Sequence, residues 1–200
     1  NGDRSNDRVE GMQEQVVDRS APYGRHGGDL QGVLEHLDYL RELGVTQLWM
    51  NPVLENDQAE QSYHGYAITD HYRIDPRYGD LDLMVTLANE ARARGIQFIW
   101  DVIPNHSGSY HWWMQDLPFK DWVNYPDSRQ RTNHRRESVQ DPYSIASDRE
   151  NFQSGWFVDA MPDLNQRNPH MARYLIQNTI WWIETLGLSG LRVDTYPYSD

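Results

Sequence analysis

Arg192 and Asp194 stand two residues apart in the run GLRVDT, residues 190–195. Strand side chains repeat every two residues, so both point to one face. An arginine on that face favours the ionised form of the aspartate. A permanently charged carboxylate is what a nucleophile or a stabiliser of a developing cation needs. A second carboxylate, Asp101, closes the apolar run IQFIW and is followed by Asn105 and His106. A lone aspartate at a strand end is ordinarily a cap or turn residue. Here three successive strand ends turn polar: Asn51 with Pro52, Asp101 with Asn105 and His106, and Arg192 with Asp194. That repetition predicts one shared cleft, with His106 beside Asp101 belonging to it.

The segment 62–80 adds His64, Tyr66, Asp70, His71 and Tyr72. Flat rings with short polar groups suit sugar recognition, although core packing of Tyr66 and Tyr72 is an equal alternative. The two histidines lack the spacing of a zinc site. In NGDRSND, residues 1–7, Asn1, Asp3, Asn6 and Asp7 offer hard oxygen ligands of the kind Ca²⁺ takes. The loop lacks the glycine and closing glutamate of an EF-hand, and taken alone a solvated Asn/Asp turn is its simpler reading. Asp163 and Asn165 precede a helix and suit its entry. The tryptophan pairs 112–113 and 181–182 read as packing rather than ligand platforms.

These residues need elements to hold them. Apolar residues at helical spacing predict helices over 27–44, 80–95 and 168–187, with Asp80 as N-cap and Pro169 in a first turn. Apolar runs predict strands over 45–52, 96–106 and 188–195. Helix and strand alternate, which implies an α/β fold with parallel strands and crossover helices. Such folds place their sites at the C-terminal strand edge. Residues 107–167 break the rhythm, and their length predicts an inserted subdomain beside the site. The organisation is thus 1–106, the insertion 107–167, and a returning helix and strand over 168–200.

Composition narrows the partners. The net charge is −12, from 30 acidic against 18 basic residues, so nucleic acid and anionic membranes would be repelled. No apolar run is long enough to span a bilayer. Mean hydropathy is low at −0.83, but eight Trp and twelve Tyr supply large buried areas with polar handles. The absence of cysteine excludes disulfides and thiolate chemistry. No Gly-rich nucleotide fingerprint appears. The chain starts at Asn1, so any targeting segment has been removed or lies outside these residues.

Four ordered motifs, HGYAITDHYRIDPRYG (64–79), DVIPNH (101–106), MPDLN (161–165) and GLRVDTYPY (190–198), resemble the α-amylase family of glycoside hydrolases. They are most similar to its neopullulanase and cyclomaltodextrinase branch. The resemblance implies part of a (β/α)₈ TIM barrel, about strands two to four, with a subdomain inserted after the third strand. The first strand would precede Asn1, and strands five to eight would follow Asp200. It implies an enzyme that acts on α-linked oligo- or polysaccharides, with Asp194 as nucleophile and Arg192 as the arginine that orients it. Asp101, His106 and Tyr66, with His64 beside it, match positions that bind the sugar. Asn105 matches a position that supports the loop or a calcium ion. In the branch with an NGDxSND loop, a structural Ca²⁺ also takes a Gly and an Asp that here match Gly27 and Asp29. TYPY replaces the motif's usual histidine. The general acid Glu and the transition-state Asp would lie after later strands, so these residues alone should not turn over substrate. A transglycosylase or isomerase shares the same first half-reaction, and an inactive glycan-binding homologue is the rival from another class.

Overall fold

The computed structural model describes residues 4–14 and 17–199. Its strands are β1 (Gln47–Trp49), β2 (Leu54–Glu55), β3 (Asp70–Ile74), β4 (Gln97–Val102) and β5 (Gly190–Val193). Its α-helices are α1 (Leu30–Glu35), α2 (Leu37–Glu42), α3 (Leu81–Ala93), α4 (Glu137–Gln140), α5 (Ala146–Ser154) and α6 (Pro169–Leu186). β1, β4 and β5 form a parallel sheet in the order β1-β4-β5. All three are shorter than the apolar runs that predict them. Asn105 and His106 therefore lie past the end of β4, and Asp194 lies one residue past β5. The ladder still reaches it, because the Asp194 N–H donates to the Val102 carbonyl at 2.8 Å.

Helix caps follow the sequence. The Asp80 side chain accepts from the Leu83 N–H, and Asn168 accepts from His170 and Met171 with Pro169 in the first turn. Gly187 closes α6 in the left-handed conformation. The helix expected over 27–44 is instead two short helices. It starts at Leu30, capped by Asp29, after Gly27 and Gly28. It breaks at His36, whose backbone leaves helical geometry while its ring Nδ1 meets the Gly32 carbonyl at 2.7 Å. Gly32, a weak helix former, lies one turn before the break.

Phe98 and Trp100 alternate onto the helix side of β4, where Trp100 stacks on Trp182 of α6 at 4.8 Å. With Met84, Leu87 and Ala91 of α3 they form the main core. The other face of β4 carries Ile99 and Asp101, and the opposing β5 positions are Gly190 and Arg192. This leaves the site on the face turned away from the helices. An apolar hollow of about 470 Å³, lined by Leu30, Val33, Leu40 and Met50, is separate from it; none of Asp101, Arg192 or Asp194 lines that space.

β2 and β3 pair antiparallel, a small sheet that the periodicity does not predict. Between them runs the segment bearing Tyr66. Its anchor is Arg77, which donates to both carboxylate oxygens of Asp75 at 2.8 and 2.6 Å and to the carbonyls of Glu14 and Asn56. Both side chains are buried. Burial alone would push Asp75 up, but the Arg77 guanidinium more than offsets it and holds the carboxyl below its ordinary range.

Residues 107–167 carry α4, α5, a turn over Trp112–Met114 and isolated bridges. A second cluster of Trp113, Trp122, Val123, Leu164 and Met171 packs this segment onto α6. Trp182 and Trp113 are buried as expected, but Trp112 is not a packing residue in the same sense, since more than half of it is exposed.

Candidate active site

The ladder that sets Asp101 opposite Arg192 also brings the charges together. Arg192 Nη1 donates to Asp101 Oδ1 at 2.9 Å and Oδ2 at 3.1 Å, and to Asp194 Oδ1 at 2.6 Å. One guanidinium nitrogen thus joins the carboxylates of two strand ends. Burial pulls Arg192 down, but the two aspartates outweigh it and its pKa is raised. The residue after Asp194 turns sharply: Thr195 sits at φ 46° and ψ 30°, left-handed for a β-branched side chain. Strain of this kind, on the order of 1–3 kcal/mol, is typical of functional turns.

Asp101 has no exposed side-chain surface. Its Oδ2 accepts from the Trp49 indole N–H at 3.1 Å and the Tyr66 hydroxyl at 3.1 Å, besides Arg192. Burial pushes its carboxyl above the ordinary range, against the pull of these donors. The structure therefore surrounds Asp101 with protein donors rather than leaving it open to the sugar that the resemblance implies. Tyr66 is pushed up to about 12, first by burial and then by the Asp101 charge, so it remains a donor.

Tyr66 is held here by Gly65. That glycine has φ +81°, and a Cβ on it would lie 2.2 Å from the Pro52 carbonyl oxygen. Only glycine lets the segment pass so close to the turn after β1. His64 Nδ1 accepts the Tyr66 N–H at 2.9 Å, which leaves its Nε2 as the protonated nitrogen. Burial lowers the His64 pKa against the charges of Glu14 and Asp194. His106 is buried, stacks on Phe157 at 5.4 Å, and meets Asn105 Nδ2 through Nδ1 at 3.3 Å. Its ring also comes near the Tyr66 backbone, while Nε2 makes no hydrogen bond of normal geometry among the described residues. Burial brings His106 down to about 4, so it is neutral at physiological pH.

Other expected residues go elsewhere. Tyr72 lies against Tyr174 and Trp181 of α6, at 5.8 and 5.3 Å, and not in the cleft. His71 is buried beside His111 and Trp113. Asp163 accepts from Asn124 Nδ2 at 2.8 Å and pairs across a bridge with His106. Asn1 and Asp3 lie outside the described residues. Asp7 pairs with Arg4 at 2.7 Å, and Asp29 Oδ1 caps α1 at 2.6 Å. Among the described residues no group of three or more His, Cys, Asp and Glu side chains is arranged for a metal.

Periodicity alone does not reveal Trp49, His134, Phe157 or Tyr198 as site-forming. Trp49 reads as one more apolar residue of its strand; the available signal was an indole N–H that needs a partner. His134, Phe152 and Phe157 come from the irregular segment. They meet Tyr198, with His134 Nδ1 at 3.2 Å from its hydroxyl and Phe152 stacked at 4.2 Å. The 107–167 segment is thereby fastened to the turn that follows Asp194.

Arginine thus bridges two carboxylates at parallel strand ends, with two histidines and a tyrosine beside them. The profile of the alpha amylase catalytic domain matches residues 1–200. The chain belongs to the α-amylase catalytic-domain family. Neopullulanase 2 of Thermoactinomyces vulgaris is 35% identical over 206 residues, covering 97% of this chain and 31% of that protein. A trehalose synthase/amylase of Mycolicibacterium smegmatis is 33% identical, covering 86% of the chain and 30% of its own length. Among solved structures, the acarbose complex of an α-amylase from Geobacillus thermoleovorans superposes with a TM-score of 0.76 at 35% identity. It covers 92% of this chain and 38% of that one. The chain spans about a third of the length of the curated relatives it matches. Its parallel strands are part of a (β/α)₈ barrel, and the described residues do not close one.

Proposed function

We propose that the full-length protein is a retaining glycosidase acting on α-glucans, with Asp194 as its nucleophile. The observation that carries this reading is the Arg192 Nη1 bridge between Asp101 and Asp194 at a parallel strand edge. Retaining glycosidases use two carboxyl groups about 5–5.5 Å apart, one as nucleophile and one as acid/base. An Asp194 oxygen attacks the anomeric carbon as the glycosidic C–O bond breaks. The bonding pair leaves with the departing oxygen, which takes a proton from the acid/base carboxyl, a Glu after the fifth strand in the family pattern. Water then attacks the glycosyl ester, losing its proton to that same carboxyl, and Asp194 is released. His64 offers a neutral N–H to sugar hydroxyls, and His106 would need its buried ring uncovered on binding to do the same, while Tyr66 supplies a ring whose hydroxyl is tied to Asp101. Asp101 acts through Arg192.

Incubation of the full-length protein with a slowly reacting fluorinated α-glucosyl fluoride, followed by peptide mapping, tests the assignment. The expected adduct is an ester on Asp194. An adduct on another carboxylate in an active preparation would overturn it.

The similarity to a trehalose synthase/amylase favours a second reading, transfer of the glycosyl group to a sugar instead of water. Maltotriose distinguishes the two: glucose and maltose indicate hydrolysis, longer or rearranged products indicate transfer. Lack of any turnover, with oligosaccharide binding intact, would leave the inactive glycan-binding homologue.

A structural Ca²⁺ at the N-terminal loop is part of the same proposal. A Cβ on Gly27, which has φ +84°, would lie 3.1 Å from Asp7 Oδ1. The Asp7 carboxylate thus lies against the Gly27 backbone. Asp7, Gly27 through its carbonyl and the second carboxylate oxygen of Asp29 would hold it, with Asn1, Asp3 and Asn6 completing an oxygen set. The ion's role would be to brace the loop against α1. Chelation by EDTA should then lower the melting temperature of the wild type, and Asp7→Ala should remove that sensitivity. If EDTA leaves the wild-type melting temperature unchanged, the loop is only a turn.

A further inference from the structure

We infer that Trp49 is a positioning residue for this chemistry, fixing Asp101 through its indole N–H and Arg192 through its ring face. The inference rests on the reading of Asp194 as nucleophile. Trp49 ends β1 on the same sheet face as Ile99 and Asp101 of β4. Its specific contacts are with the site. Nε1 donates to Asp101 Oδ2, and the Arg192 guanidinium carbon lies 5.3 Å from the indole centroid. Tyr66 makes the matching pair of contacts, its hydroxyl on the same Oδ2 and its ring 5.6 Å from the guanidinium.

The geometry around Arg192 explains why two rings would be needed. A single nitrogen, Nη1, serves three carboxylate oxygens: both of Asp101 and one of Asp194. It has two hydrogens, so a small rotation of the guanidinium plane strengthens one carboxylate contact and weakens the other. Cation–π contact with the face of an indole restrains that rotation. The indole N–H meanwhile anchors the carboxylate at the other end of the bridge. Trp49 is too far along the chain of contacts to be called catalytic. It touches the groups that hold Asp194, not Asp194.

The test uses Trp49→Phe and Trp49→Leu in the full-length protein, with kcat and KM on maltodextrin measured across pH. Phe keeps a ring but loses the N–H, and should lower kcat about tenfold, the scale of one hydrogen bond to a charged group. Leu loses both contacts and should lower kcat about thirtyfold. KM should hold in both. The acid limb of the kcat profile should move to higher pH, because Asp101 loses one donor that opposes its burial. A purely structural role would not move that limb. Wild-type kcat and an unmoved acid limb in both variants, with Asp194→Asn inactive, overturn the positioning role and leave the nucleophile reading standing. A rise in KM with kcat unchanged would make Trp49 a sugar contact and also overturn it. Activity in Asp194→Asn would overturn both readings together. Should Trp49→Leu fail to fold, Trp49→Phe still decides.

Discussion

Asp194→Asn in the full-length protein should lower kcat on maltodextrins or cyclodextrins by roughly 10⁴-fold, the scale seen when a core catalytic group is removed. The amide oxygen can still accept the Arg192 hydrogen bond that Asp194 Oδ1 accepts at 2.6 Å. The bridge to Asp101 should therefore persist, and so should the fold and substrate binding. What the amide lacks is the charge and nucleophilicity to form the glycosyl ester. Circular dichroism and oligosaccharide titration check the first point, and steady-state rates the second. In Asp194→Ala, added azide has room to attack the anomeric carbon in place of the carboxylate. It should give a glycosyl azide of inverted configuration, a product that a residue with only a binding role would not yield. Turnover by Asp194→Asn at the wild-type rate would remove Asp194 from the chemistry.

The sequence and the structure agree where a feature is local. Asp80, Asn168 and Pro169 announce their helices because capping is decided within one turn. Arg192 and Asp194 share a face because the period of a strand is fixed, and the contact at 2.6 Å follows. Agreement weakens where distant pairing decides. β2 has two residues and finds its partner β3 across a loop, so no periodic signal could reveal it. Tyr66 and Tyr72 look alike in sequence, yet Gly65 turns one to the strand ends while β3 carries the other to α6. The break at His36 depends on a side chain reaching back to a backbone carbonyl, which amphipathic spacing does not report. The closing of residues 107–167 onto Tyr198 depends on aromatic contacts from an irregular segment. Part of the site was therefore legible as strand-end polarity, and the arrangement that binds its parts was not.

That arrangement makes Asp101 the second sensitive position, for a reason unlike that of Asp194. Its carboxylate is fully enclosed and receives Arg192 on both oxygens, with Trp49 and Tyr66 on one of them. Every neighbour in this set is a donor. Asparagine must present an NH₂ to some of them, in either orientation of the amide, and it also removes the charge that pairs with Arg192. Removing one partner of a buried pair costs about 3–5 kcal/mol. Arg192 is about a third exposed (35% of its side chain), so solvent screening places the effect toward the lower end. With its anchor gone, Arg192 can settle on Asp194 alone and draw that carboxylate away from the attacking position. Misplacement of about 1 Å is worth about 10²-fold in rate, so Asp101→Asn should lower kcat by about 10²-fold or more while KM changes little. Chemical denaturation should show the stability loss in the same variant. Tyr66→Phe provides the comparison: it removes one of the donors, keeps the ring, and should reduce kcat far less. If Asp101→Asn instead raised KM and left kcat intact, Asp101 would have to reach the sugar itself, and the enclosure by Trp49, Tyr66 and Arg192 would have to open on binding.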